Sequence, residues 1–140
     1  MKYFTSAWWA GDDKSDAGKK YRHHFESIKN KLSETIIQFD STVNLHDAQI
    51  AEINFLAKGK ILFLSCKYYD ANDDVQTIGM QYGGVAGFYI IPSEKDDLSE
   101  GFDDLGYNEF DLHGDLFEHR MLFASGREMR VVFKEFSFAS

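Results

Sequence analysis

The chain has 140 residues, 44% of them hydrophobic and 16% aromatic, with a formal net charge of -8. That length fits one domain, residues 1–140, large enough for one proper core, and the aromatic content excludes a disordered chain. The single cysteine, Cys66, excludes an intramolecular disulfide framework, and no apolar run is long enough for a signal peptide or a membrane span, so a reducing cytoplasm is expected.

The first periodic segment runs from Ala17 to Phe39. Tyr21, Phe25, Ile28, Leu32, Ile36 and Phe39 recur every three or four residues, which predicts one amphipathic helix over 17–39 with a single stripe on the core. Ser15 or Asp16 supplies the N-terminal cap, and the polar run at 40–42 ends it.

From Gln49 the period changes to two. A Lys58-Gly59 turn places Phe55 opposite Leu62, Ile53 opposite Leu64 and Ala51 opposite Cys66, all on one face. Two more strands are expected at about 75–82 and 85–91, separated by Gly83-Gly84 and closed by Pro92. Residues 93–106 read as a solvated loop.

The segment Tyr107 to Arg120, YNEFDLHGDLFEHR, forms a hairpin about Gly114-Asp115 in which Leu112 faces Phe117, Phe110 faces His119 and Glu109 meets Arg120. His119 then points to the apolar side. A following turn at Ser125-Gly126-Arg127 pairs Phe123 with Met129, Met121 with Val131, His119 with Phe133 and Glu118 with Lys134. The sum is an α+β fold: a mostly antiparallel sheet of about seven strands, with the helix packed on one face.

The charge is local. Between Glu94 and Glu118 ten acidic residues oppose one lysine, so this segment carries -9 and the rest of the chain +1. Such a patch disfavours nucleic acid and anionic membrane and favours a basic protein or a divalent cation. Asp103, Asp104, Glu109, Asp111 and Glu118 are the partner-binding candidates.

Chemistry has a second set of candidates. Asp111 and Glu118 lie opposite one another in the hairpin with His113 nearby, and two close carboxylates push their pKa values apart, as an acid and base pair or a divalent metal site requires. Their structural alternative is a strand face relieved by Arg120 and Lys134. The pair His46-Asp47, ahead of a strand, suits a base with its orienting acid or half of a metal site; the structural reading, favoured for a lone histidine, is a capped strand start with His46 packed at a sheet edge. His23 and His24 lack an i+4 ligand, Cys66 faces the core, and residues 70–81 match a calcium loop poorly, with Val75 where Gly is needed. No cofactor and no resident metal are expected.

The opening MKYFTSAWW, the LHDAQI before the first hairpin and the terminal FEHR and GREMRVVFKEFSF resemble a family of uncharacterised bacterial proteins, a domain of unknown function. That resemblance implies a bacterial cytoplasmic protein and brings no activity or catalytic residue with it. In size and charge the chain also looks like bacterial toxin-immunity proteins. The expectation is therefore a non-catalytic binding module of immunity or inhibitor type that holds a basic protein through 94–118. The alternatives are a small metal-dependent or acid/base hydrolase at Asp111, Glu118 and His113 or His46, and self-association through an outer strand, the aromatic N-terminus or both.

Overall fold

The computed structural model describes residues 1–93 and 101–140. Among these residues three α-helices, α1 (Ser6–Trp9), α2 (Ala17–Ile28) and α3 (Glu34–Thr42), precede eight strands. The strands are β1 (Gln49–Leu56), β2 (Ile61–Tyr69), β3 (Val75–Gly83), β4 (Gly87–Ile91), β5 (Leu105–His113), β6 (Leu116–Phe123), β7 (Glu128–Phe133) and β8 (Glu135–Ala139). The fold is α+β and all strand pairs are antiparallel.

The single expected helix is two. A 3-10 turn at Lys29–Lys31 follows α2, Leu32 is extended at φ -82° and ψ 153°, and Ser33 restarts the chain by accepting the Ile36 N–H at 3.4 Å. The apolar stripe is nonetheless kept: Tyr21, Phe25, Leu32, Ile36 and Phe39 are all buried. Periodicity alone could not reveal the break, because the stripe runs through it in phase. The short α1, capped by Thr5, was not expected.

The single expected sheet is also two, ordered β1-β2-β3-β8 and β4-β7-β6-β5. Both sheets exchange strands at one corner. β3 pairs with β8 as far as Gly83 and Glu135, and β4 pairs with β7 from Gly87 and Val132, so the two long strands bend together across residues 84–86 and Lys134. Gly84 has φ +57°, and a Cβ there would meet the Lys134 side chain at 3.0 Å, so glycine is what lets the corner close. The Ala86 N–H donates to Val132 O at 2.8 Å, which stitches the bend.

Registers largely follow the alternation. Phe55 faces Leu62 and Ile53 faces Leu64 as expected, but a bulge between Ile50 and Glu52 sets Ile50, not Ala51, against Cys66. The turn spans four residues, and the positive φ belongs to Lys60 instead of Gly59. The β6–β7 pairing is two residues from the expected one: Met121 faces Met129, His119 faces Val131 and Phe117 faces Phe133. The turn is Ala124-Ser125-Gly126 with Gly last at φ +88°, closed by the Phe123 N–H donating to Arg127 O at 3.0 Å, the usual geometry of a three-residue hairpin loop. A shift of two leaves every residue on its face.

The core lies between the inner sheet faces and the helices. Leu62, Leu64, Cys66, Ile78, Met80 and Tyr82 from one sheet meet Phe110, His119, Met121, Val131 and Phe133 from the other, with Ile36 and Phe39 of α3. No helix among the described residues is long and apolar enough to cross a membrane.

The N-terminal aromatics seal one end of β5. Tyr107 stacks on Phe4 at 4.9 Å and meets Trp8 and Trp9 edge-on at 5.0 and 5.2 Å. A Cβ at Gly106 would lie 2.4 Å from the Trp9 ring. Gly106→Ala should therefore displace Trp9, lower stability by about 1–3 kcal/mol and shift tryptophan emission to the red, which a urea titration followed by fluorescence checks.

Candidate functional site

The acidic hairpin forms as the sequence predicts. Gly114 has φ +60° while Asp115 does not, the pattern of a type II' turn, and the paired residues are Glu109 with Arg120, Phe110 with His119, Asp111 with Glu118 and Leu112 with Phe117. Its polar face, however, is not at the surface. Glu109, Asp111, Glu118 and Arg120 are all buried.

Arg120 is the centre of that face. Its Nε donates to Glu109 at 2.9 Å, one Nη to Glu118 at 2.8 Å and the other to Asp111 at 3.0 Å. The start of the chain closes over them: the backbone N–H groups of Lys2, Tyr3 and Phe4 donate to Glu109 at 3.0, 2.9 and 2.7 Å. The Met1 amino group contacts Glu128. His24 Nε2 of α2 lies 2.8 Å from Asp111, whose Oδ1 also accepts the Leu112 N–H. Burial raises the Asp111 pKa, but the His24 bond, the Leu112 N–H and Arg120 outweigh it and hold the carboxyl down to about 2. Glu118 is relieved by Arg120 and, at 3.5 Å, by Arg130; the expected partner Lys134 is exposed at the corner.

This geometry reassigns three of the five partner-binding candidates. Glu109, Asp111 and Glu118 are held inside the protein by their own cation and by backbone donors, and only Asp103 and Asp104 stay accessible. Asp104 accepts from Gln49 Nε2 at 2.8 Å, and Asp47 lies close by, its N–H donating to Leu105 O at 2.7 Å. Glu94 to Glu100 lie outside the described residues. The same burial removes Asp111 and Glu118 as a free acid and base pair, since both are engaged by Arg120.

The histidines do not converge. His46 Nδ1 lies 2.7 Å from Gly106 O at the first turn of β5, whereas His113 stands exposed at the far end of that strand. Seven residues of strand separate the two positions by about 23 Å. Because a backbone carbonyl only accepts, His46 carries its proton on Nδ1 and turns Nε2 to solvent, 3.6 Å from Asp47 Oδ1. Asp47, at φ +65°, does not orient the ring through Nδ1. Among the described residues no three His, Cys, Asp or Glu side chains are placed to hold a metal ion. Where the carboxylates do gather, Arg120 already supplies the positive charge.

Sequence reasoning did not find the polar contacts inside the core. His119 Nε2 lies 2.9 Å from Asn108 Oδ1 and Nδ1 lies 2.7 Å from the Tyr82 hydroxyl, while the ring stacks on Phe110 at 3.9 Å. All bonds are satisfied if Nε2–H donates to Asn108 and the Tyr82 O–H donates to Nδ1. Burial, with Arg120 second, pushes the His119 pKa down to about 3. The Cys66 thiol is pushed up to about 12 by burial, which leaves it an inert core residue.

What remains accessible is set by the sheet edges. At β5 a loop and a helix cover part of the edge: Leu105 N–H donates to Ala48 O at 2.7 Å and Phe110 N–H to the Tyr21 hydroxyl at 2.8 Å. At β8, Thr35 of α3 donates to Phe136 O at 2.7 Å. At β1 the bulge and Glu52 break the edge. Among the described residues β4 has β7 as its one strand neighbour; it carries no charged residue and leaves Tyr89, Ile90 and Ile91 45%, 47% and 41% exposed. Phe55 of β1, also exposed, stacks against Phe88 at 6.5 Å and widens the apolar strip. On its polar side β4 borders a cleft of about 380 Å³ lined by Lys2, Ile91, His113, Glu118 and Arg130, with the Arg130 guanidinium 4.4 Å above the Tyr89 ring.

No protein-family model matches the chain, and no curated protein matches it.

Proposed function

We propose that this protein is a non-catalytic binding module that associates with another polypeptide along β4. The observation that carries the reading is the contrast between β4 and the other sheet edges. Three are blocked by a helix, a loop or a charged bulge, and β4 alone among the described residues is uncharged and apolar. Soluble proteins protect such edges, because a free row of N–H and C=O groups templates strand addition. Backbone pairing would supply affinity, and the alternating Tyr89, Ile90 and Ile91 side chains would supply selectivity.

The acid and base alternative loses support at the same time. Its carboxylates are spent on Arg120, and its two histidines stand at opposite ends of β5. A second reading keeps the basic partner and the inhibitor-type role. It rests on Asp47, Asp103 and Asp104, which gather near the start of β5, and in it the net charge of -8 steers a basic protein to that end.

Retention of polypeptides from a bacterial lysate supplemented with the untagged chain, by tagged wild type and by tagged Ile90→Lys, separates the two. The β4 reading expects at least one polypeptide held by wild type and released by Ile90→Lys, with the melting temperature unchanged because Ile90 is half exposed. Equal retention by both proteins, or none by wild type, would overturn it.

A further inference from the structure

We infer that the polypeptide accepted by β4 is a second copy of this chain, paired antiparallel β4 to β4 about a two-fold axis at Tyr89; the inference rests on the β4 reading above. The strand reads Gly87-Phe88-Tyr89-Ile90-Ile91, and that order is self-complementary when reversed. With Tyr89 on the axis, Phe88 faces Ile90 of the other copy on the core side, joining two apolar side chains. On the opposite face Gly87 faces Ile91.

Steric fit supports this pairing. A Cβ at Gly87 would lie 2.6 Å from the Tyr89 ring, so that ring already covers the glycine. The incoming Ile91 therefore meets an aromatic face and not a bare backbone. Aromatic and β-branched residues paired in this way are the favoured cross-strand neighbours.

Charge supports it too. Two chains of net charge -8 repel, so a self-contact has to fall where neither brings charge to the seam. β4 has no ionisable side chain except the Tyr89 phenol, and among the described residues Glu128 and Arg130 sit one strand back on β7 with partners of their own at Met1 and Tyr89. At β1, by contrast, Glu52 lies on the edge strand itself. Strand pairing about a two-fold uses the same surface on both copies and closes after two, which also explains how an apolar edge persists without fibre growth.

Sedimentation of the untagged full chain over a range of concentrations tests the inference. A concentration-dependent rise to twice the 16.1 kDa chain mass is expected, and Ile90→Lys should remain at 16.1 kDa at every concentration with an unchanged circular-dichroism melt. Tyr89→Cys should form an intermolecular disulfide under mild oxidation, since the axis brings the two positions opposite one another. Wild type that stays at 16.1 kDa throughout would overturn the second copy, as would a dimer indifferent to Ile90→Lys. If that monomer still releases a foreign polypeptide on Ile90→Lys, the β4 reading survives alone; if retention is indifferent to Ile90→Lys, both fall.

Discussion

Arg120→Met should abolish cooperative folding at neutral pH, or cost about 3–5 kcal/mol where folding persists. The reason is arithmetic of charge. Arg120 holds Glu109, Asp111 and Glu118 with one hydrogen bond each, and all three carboxylates are buried. Without the guanidinium they retain the N–H groups of Lys2, Tyr3 and Phe4 on Glu109, the Lys2 ammonium at 3.4 Å, His24 and Leu112 on Asp111, and Arg130 beside Glu118. Three negative charges would then crowd a largely buried site beside the cleft that Glu118 lines, with less positive charge to offset them. Arg120→Lys should fall between the two, because an ammonium keeps the charge but cannot span three carboxylates as the planar fork does. Urea unfolding at neutral pH provides the measurement. An Arg120→Met protein as stable as wild type would mean that the hairpin does not depend on this network.

The second large effect is acid instability centred on His119. Its folded pKa is about 3, while an unfolded histidine titrates near 6.5. Above about pH 6.5 both states are neutral there and the residue adds no pH dependence. Between the two values the unfolded chain takes up a proton that the fold refuses, so stability declines as pH falls, by at most about 1.4 kcal/mol per pH unit. Asp111, held at about 2, adds a further loss once pH drops below the usual carboxylate range. Urea midpoints measured from neutral pH down to about pH 4 should therefore fall steadily. In His119→Gln the baseline should be lower by about 1–3 kcal/mol through the disturbed bonds to Tyr82 and Asn108, and the slope above pH 4 should flatten. An unchanged slope in that variant would assign the acid sensitivity to another group.

Local rules made parts of this fold readable and left others hidden. The Gly114-Asp115 hairpin was legible to the residue, because its turn chemistry and its alternation agree and a one-residue slip would exchange its faces. The pair Glu109 and Arg120 came with it. The burial of that face was not legible, since its lid is the start of the chain, 105 to 107 positions away from Glu109 in sequence. Alternation reports two unlike faces but does not say which element covers the polar one. The two-sheet division was hidden for a similar reason: Gly83-Gly84 reads as a turn between strands, and nothing in Lys134 marks a strand changing sheets. His119 was placed correctly on the apolar side, but Tyr82, its partner, lies in the other sheet, beyond the reach of any register argument.

We propose that association runs through β4 and not through the acidic surface, and salt separates the two. Strand addition at an uncharged edge is little screened, whereas contacts made by Asp103 and Asp104 weaken as ionic strength rises. The measurement is retention of bound polypeptide by wild type and Ile90→Lys at about 0.05 M and about 0.5 M salt, concentrations that bracket the change in screening. Equal retention by wild type at both, and loss in Ile90→Lys at both, is the predicted result. Binding that disappears at high salt yet ignores Ile90→Lys would contradict the account and return the function to the acidic surface.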